Sequence, residues 1–129
     1  MIVLDASALV AAVLDQPASD WVLGQLSGEE IRSPSHQPAE VLSALSRLVR
    51  DGALEAAEAS DALREAAGLP QQLVTPTVAH LQRAFSLGEG IRVLDGLYVA
   101  LAEELGCALV TTDTRLSRTD PPCEVRVPG

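Results

Sequence analysis

The chain has 129 residues, a length at which one domain buries a hydrophobic core of its own, and we expect a single domain over residues 1–129. Apolar residues make up 47% of the sequence, but only one Trp, one Tyr and one Phe are present, so aliphatic side chains must fill the interior. The formal net charge of −9 excludes a protein that holds nucleic acid through a globally positive surface, and any such contact must be local.

The first part of the chain alternates short apolar runs with helical patterns. Residues 2–5 form an apolar run that ends in a carboxylate, and the Ala-rich segment 7–14 behind it favours a helix. Ser19 is placed to cap a second helix, and residues 30–33 are typical of a short strand stopped by Pro34. No basic, cleavable leader precedes the first run, and no apolar stretch reaches the roughly 18 residues that span a bilayer, so we expect a cytoplasmic protein without a membrane segment.

The alternation continues to the end of the chain. Apolar spacing, turn residues and glycine stops predict helices over 38–50, 54–67, 78–87 and 94–105, and strands over 72–76, 108–112 and 124–127. Strands separated by helices imply parallel pairing with right-handed crossovers. The expected fold class is therefore α/β: a three-layer α/β/α fold with a central, mainly parallel sheet of about four to five strands.

Two aspartates directly follow apolar strands in this scheme. Asp5 ends the first run, and Asp113 follows the run over 108–112. Solvation alone does not explain why an aspartate directly follows an apolar strand. In α/β folds, ligands bind where the carboxyl ends of parallel strands meet. We therefore expect these two carboxylates to lie close together.

Two further acids lie in the first turns of predicted helices. Glu40 follows Pro38, and Asp95 opens the helix over 94–105. Stabilisation of the helix dipole, worth roughly 0.3–1 kcal/mol each, explains either acid alone. Together with the strand-end aspartates they form a four-carboxylate cluster whose like charges require neutralisation. Mg²⁺ and Mn²⁺ prefer oxygen ligands and bind substrate phosphates, so the pattern indicates a phosphodiester substrate.

The segments around these acids resemble, in order, the motifs of PIN-domain proteins. They are residues 2–9 (IVLDASAL), 38–45 (PAEVLSAL), 94–102 (LDGLYVALA) and 110–116 (VTTDTRL). The resemblance runs from residue 1 to about 117, and four ordered motifs are far more specific than one. Length and motif detail favour the VapC branch, whose members are commonly encoded beside a small antitoxin.

The resemblance implies a metal-dependent endoribonuclease, the toxin of a type II toxin–antitoxin module. Asp5, Glu40, Asp95 and Asp113 are then both the metal ligands and the catalytic acids. Mg²⁺ is the expected cofactor, with Mn²⁺ as a substitute, and an activated water hydrolyses the RNA backbone to leave a 5′-phosphate. The expected partners are RNA, a cognate VapB-type antitoxin and a second copy of the chain in a homodimer.

Five residues near the acids are candidates for supporting roles. Ser7 and Thr111 carry hydroxyls that can bind a carboxylate or a metal water, although Ser7 can equally cap its own helix. Arg47, Arg92 and Arg115 can hold phosphate locally, although a solvated or antitoxin-facing position is as good an interpretation for each.

The remaining candidates receive no catalytic role. His36 and His80 lie outside the acid motifs, and we expect structural or surface positions for both. Some relatives carry a further acid after the last motif's aspartate, where this chain has Thr114 and Arg115, which weakens the case for a second metal.

Alternative functions stay open within the PIN-domain family, but the sequence excludes several other classes of protein. A haloacid-dehalogenase or receiver domain needs a lysine, and all basic residues here are Arg; no Gly-rich phosphate loop follows any strand. A PIN nuclease of RNA maturation without an antitoxin, or a catalytically idle PIN binding module, remains an alternative hypothesis.

Overall fold

The computed structural model describes all 129 residues and contains five strands and seven helices. In chain order these are β1 Ile2–Leu4, α1 Ala6–Val13, α2 Ser19–Leu26, β2 Ile31–Pro34, α3 Gln37–Arg50, α4 Ala56–Ala67, β3 Gln72–Val74, α5 Val78–Ser86, α6 Val93–Leu105, β4 Ala108–Val110, α7 Thr114–Ser117 and β5 Val125–Arg126. Every predicted strand and helix is present, and α7 is an addition. None of the helices is long and apolar enough to cross a membrane.

The five strands form one sheet in the order β3-β2-β1-β4-β5, and all four pairings are parallel. Ile2 in the central strand is paired with Ile31 of β2 on one side and with Ala108 of β4 on the other. The predicted parallel sheet of four to five strands is thereby confirmed.

Helices cover both faces of the sheet. Because successive strand side chains point to opposite faces, Ile2 and Leu4 join a larger core with α1 to α4, and Val3 joins a smaller core with α6 and α7. The predicted three-layer α/β/α architecture is confirmed.

The strand order places a crevice beside the central strand. From β1 the chain crosses to β2 on one side, and it later returns to β4 on the other side of β1. Ligands of open α/β sheets bind at such a switch point, outside the carboxyl ends of the strands. The residues that follow β1 and β4 therefore face a common space.

Two local expectations were wrong. Ser19 is the first residue of α2 rather than its cap, and its hydroxyl donates to the carbonyl of Ala12, which ties α2 to α1. Pro34 does not stop β2 but is its last residue, paired with Val74. A proline fits there because the next ladder bond comes from the N–H of Ser35, which donates to the carbonyl of Val74.

Candidate active-site cleft

The four predicted acids line one cleft of about 320 Å³ at the carboxyl edge of the sheet. Each is carried by a different part of the fold. Asp5 follows β1, Glu40 lies in the first turn of α3, Asp95 lies in the first turn of α6, and Asp113 precedes α7. The four carboxylates predicted to cluster therefore line one cleft.

Asp5 is held at the floor of the cleft by two hydroxyls. Ser7 Oγ donates to Asp5 Oδ2 over 2.5 Å, and Thr111 Oγ1 donates to the same oxygen over 2.7 Å. Each hydroxyl in turn accepts a backbone N–H from the segment after β4: that of Thr112 on Ser7 and that of Asp113 on Thr111. Both hydroxyl hydrogens are therefore directed at Asp5, and the loop that carries Asp113 is fixed to it.

The charge of Asp5 is unusual for a buried carboxylate because no arginine lies within ion-pairing distance of it. Burial raises the pKa of Asp5, the bonds from Ser7 and Thr111 oppose that rise, and the nearby charges of Asp95 and Glu40 add to it. The site holds this side chain in place with neutral donors and leaves its negative charge uncompensated.

Glu40 is held at one of its two oxygens. Tyr98 of α6 donates its phenol hydrogen to Glu40 Oε1 over 2.8 Å, and His36 Nε2 lies 3.2 Å from the same oxygen. Burial raises the pKa of Glu40, but the contacts with His36 and Tyr98 outweigh it, and that pKa lies below its usual value. Oε1 is thereby occupied, and no contact of this kind holds Oε2.

The expectation that His36 is remote from the acids was wrong. Its ring lies beside Glu40 and 4.9 Å, centroid to centroid, from the ring of Tyr98. A spacing of four residues at the start of a helix places two side chains on one face, so the sequence carried a signal for this pair. Nothing in the sequence indicated Tyr98, which is 58 residues from Glu40.

His80 takes the structural position expected of it. It lies in α5, where its Nδ1 accepts the N–H of Thr77 and its Nε2 lies 2.9 Å from a carboxylate oxygen of Glu104. It is buried and takes no part in the cleft.

Asp95 and Asp113 are bridged by one arginine. Arg92 Nε donates to Asp95 Oδ2 over 3.1 Å, and Arg92 Nη2 lies 3.9 Å from Asp113 Oδ2. Arg115 also contacts Asp113, through a guanidinium nitrogen at 3.3 Å and through its backbone N–H. Burial raises the pKa of Asp95, and the charge of Arg92 opposes that rise.

Arg47 follows Glu40 by two turns of α3 and lies on roughly the same face of that helix. It lines the cleft and forms no ion pair with any of the acids.

Sequence reasoning also missed Gln37, which aligns α3 with the central strand. This fully buried side chain donates to the carbonyl of Leu4 over 2.9 Å and to Ser33 Oγ over 3.1 Å. It thus joins the end of β1, directly before Asp5, to the helical turn that carries Glu40.

The donors present fit a hard divalent cation in type. They are carboxylate oxygens, Asp5 and Glu40 have no arginine partner, and Mg²⁺ and Mn²⁺ bind such groups. No three His, Cys, Asp or Glu side chains are close enough together to enclose an ion. The side chains therefore supply the donors of a metal site without forming a closed set of ligands.

Comparisons with known proteins find similar sequences and a similar fold. The PIN domain family model matches residues 2–121. Ribonuclease VapC12 of Mycobacterium tuberculosis is 39% identical over 119 residues, which cover 92% of each chain. Ribonuclease VapC3 of the same organism is 41% identical over 128 residues, covering 93% of this chain and 88% of the relative. A crystal structure of a Pyrobaculum aerophilum protein superposes with a TM-score of 0.70 at 24% identity, over 96% of this chain and 82% of that one.

Proposed function

The chain belongs to the PIN-domain family, among its VapC ribonucleases, and from that premise we propose that it is a toxin endoribonuclease that hydrolyses RNA with a divalent cation, Mg²⁺ or Mn²⁺. The observation that carries the proposal is the meeting of four carboxylates from four separate elements at the switch point of the sheet. Relatives that are 39% and 41% identical over most of the chain are named ribonucleases, which supports the reaction class.

In this proposal the four acids hold the cation and the remaining cleft residues hold the acids. A bound cation would orient the scissile phosphate and lower the pKa of a water for in-line attack. Ser7 and Thr111 keep Asp5 in one orientation with neutral hydrogen bonds, so no arginine competes with the cation for its charge. Tyr98 holds Glu40 with a neutral hydrogen bond at Oε1, and His36 lies 3.2 Å from the same oxygen. Arg47 is exposed along the cleft and is placed to contact an RNA phosphate.

The partners follow from the charge of the chain and from its family. A net charge of −9 and an acidic cleft favour a basic partner, and the proposed one is a VapB-type antitoxin that directs a basic side chain at the acids. We also propose a cytoplasmic location, where the RNA substrate would be met. A homodimer is proposed from the resemblance to VapC proteins.

The experiment that tests the function is cleavage of total cellular RNA by antitoxin-free protein in Mg²⁺ or Mn²⁺, with an EDTA control, comparing wild type with Asp5→Asn. We expect Asp5→Asn to lose about 100-fold or more in rate, because the amide keeps the shape of the side chain but removes its charge. Asp51→Asn is the matched control, since Asp51 is an exposed residue at the end of α3. Folded, metal-loaded wild type that cuts none of a varied set of RNAs would instead identify a PIN binding module.

A further inference from the structure

Arg92 is an exposed cation placed among the acids of the cleft. It directly precedes α6, and its side chain is 71% exposed even though its guanidinium contacts Asp95 and approaches Asp113. A side chain with so little packing around it can leave its partners at small cost. Both of its contacts are therefore reversible in a way that the buried bonds on Asp5 are not.

The charge of Arg92 acts on all four carboxylates. The charge of Asp95 and its hydrogen bond raise the pKa of Arg92 most, and the charges of Asp113 and Asp5 raise it further. Arg92 also contributes to lowering the pKa of Glu40. No other arginine has this reach: Arg115 contacts Asp113 alone, and Arg47 forms no ion pair with the acids.

Arg92 and a divalent cation require the same atoms. The guanidinium donates to Oδ2 of Asp95 and lies 3.9 Å from Oδ2 of Asp113, and both oxygens belong to the proposed metal donors. A carboxylate oxygen that holds an N–H of Arg92 cannot also direct that lone pair at a metal, and the two cations repel each other at this range. Occupation of these oxygens by the guanidinium and by a metal is therefore competitive.

A second, smaller pocket adjoins the cleft at Arg92. This pocket of about 100 Å³ shares Arg92, Asp95 and Asp113 with the cleft, and Arg115 also lines it. The two arginines of this pocket are suitable donors for a phosphate once the aspartates are neutralised by metal.

We propose that Arg92 exchanges partners during the reaction. It neutralises Asp95 and Asp113 while the cleft holds no metal. When a divalent cation takes those two carboxylates, the released guanidinium binds a phosphate of the RNA next to the scissile bond. This rests on the proposed function, and it makes Arg92 both a competitor of the metal and a contact for the substrate.

The exchange predicts effects of opposite sign from one substitution. In full-length, RNA-free Arg92→Gln, the Kd for Mn²⁺, measured from the electron paramagnetic resonance signal of free Mn²⁺, should fall by about two- to tenfold because a competing cation is gone. At saturating Mn²⁺, the same variant should raise the KM for RNA by about tenfold with a smaller change in kcat, because a phosphate contact is lost.

Two further variants make the test specific. Arg92→Lys keeps the positive charge but not the planar fork, so its Kd for Mn²⁺ should stay near that of wild type while its KM rises. Arg50→Gln removes an exposed arginine of α3 that makes no ion pair with the acids, and neither constant should change.

The outcomes separate the exchange from the function on which it rests. Wild type that binds Mn²⁺ and cuts RNA, with Arg92→Gln unchanged in both constants or weakened in both, contradicts the exchange and leaves the nuclease intact. Wild type that neither binds Mn²⁺ nor cuts RNA contradicts the proposed function, and the exchange with it. Tighter Mn²⁺ binding together with a raised KM in Arg92→Gln supports the exchange.

Discussion

Asp5 and Glu40 are positioned by hydrogen bonds from hydroxyl groups and have no arginine partner. Asp5 receives two hydroxyl hydrogens, from Ser7 and Thr111, and Glu40 receives one phenol hydrogen, from Tyr98, at a single oxygen. Neutral donors fix the direction of a carboxylate while leaving most of its charge for a cation, which ion pairs with arginine would not. The other pair, Asp95 and Asp113, is the pair that arginine neutralises.

Thr111 is the residue where this arrangement is most sensitive to substitution. It is fully buried, it donates to Asp5, and it accepts the N–H of Asp113. Thr111→Val keeps the shape but removes the hydroxyl, so we expect the free energy of unfolding to fall by about 1–3 kcal/mol and the RNA cleavage rate to fall by about 10–100-fold. Urea unfolding and initial cleavage rates measure the two effects.

Two variants control for the loss of the threonine itself. Thr111→Ser retains the hydroxyl and should recover most of the rate. Thr112→Val changes the neighbouring residue, whose side chain makes no hydrogen bond, and should leave the rate unchanged. A fully active Thr111→Val would show that Asp5 does not need the hydrogen bond from Thr111, which directly follows β4.

Among individual residues, the sequence predicted the acids better than the side chains that contact them from distant parts of the chain. Strand ends identify Asp5 and Asp113, and helix starts identify Glu40 and Asp95, from local pattern alone. The structure brings all four acids into one cleft. Gln37 and Tyr98 act across elements that are far apart in sequence, and no local pattern records such contacts. The role of the acids as metal ligands stays a prediction.

Among the helices, α6 departs most from its sequence pattern. The leucine spacing predicted one apolar stripe, yet the consecutive residues from Gly96 to Ala102 are all buried. The reason is that α6 packs on the sheet through Tyr98 and Leu101 and is covered on another side by α5. A helix enclosed in this way places Asp95, at its first turn, firmly at the edge of the cleft.

The contact between α5 and α6 depends on the absence of a side chain at Gly96. A Cβ there would lie 3.1 Å from the Cβ of Ala84 and 3.3 Å from its carbonyl oxygen. We expect Gly96→Ala to lower the free energy of unfolding by about 1–3 kcal/mol, because the two helices must separate, even though Ala is the better helix former. Thermal and urea denaturation measure the change.

Gly24→Ala in α2 is the matched control for that prediction. No atom lies within 4 Å of a Cβ at Gly24, which is also in a helix, so this substitution should raise the free energy of unfolding by up to about 1 kcal/mol. If both variants stabilised the protein, close packing at Gly96 would be excluded.

The longer helices and the strands were predictable because each has a hydrophobic period and residues that mark its end. Gly106, with a φ of 63°, ends α6 in the left-handed conformation that a glycine stop requires. By contrast, α7 has four residues and shows no period, so it was not predicted. The strand order was not predicted either, because alternation indicates parallel pairing without saying on which side of β1 each strand lies.

Across the whole molecule, proton release at alkaline pH is confined to very few groups. The chain has no lysine, since all nine basic residues are arginine, and its one tyrosine is buried with its pKa raised well above the usual value. The two cysteines, Cys107 and Cys123, are free and pack partly against the smaller core. Burial raises the pKa of both thiols, that of Cys123 to about 11.

These thiols should therefore contribute to the change of stability at alkaline pH. An unfolded cysteine has a pKa of about 8.5, so the folded state holds the proton of Cys123 more tightly than the unfolded chain does. The resulting stabilisation is complete below about pH 8.5 and is lost as the pH rises towards about 11. Urea unfolding of reduced protein between pH 7.5 and 10.5 should show the free energy of unfolding fall, and Cys123→Ala should flatten that fall more than Cys107→Ala does. Parallel curves for wild type and Cys123→Ala would mean that the thiol is as well solvated in the fold as in the unfolded chain.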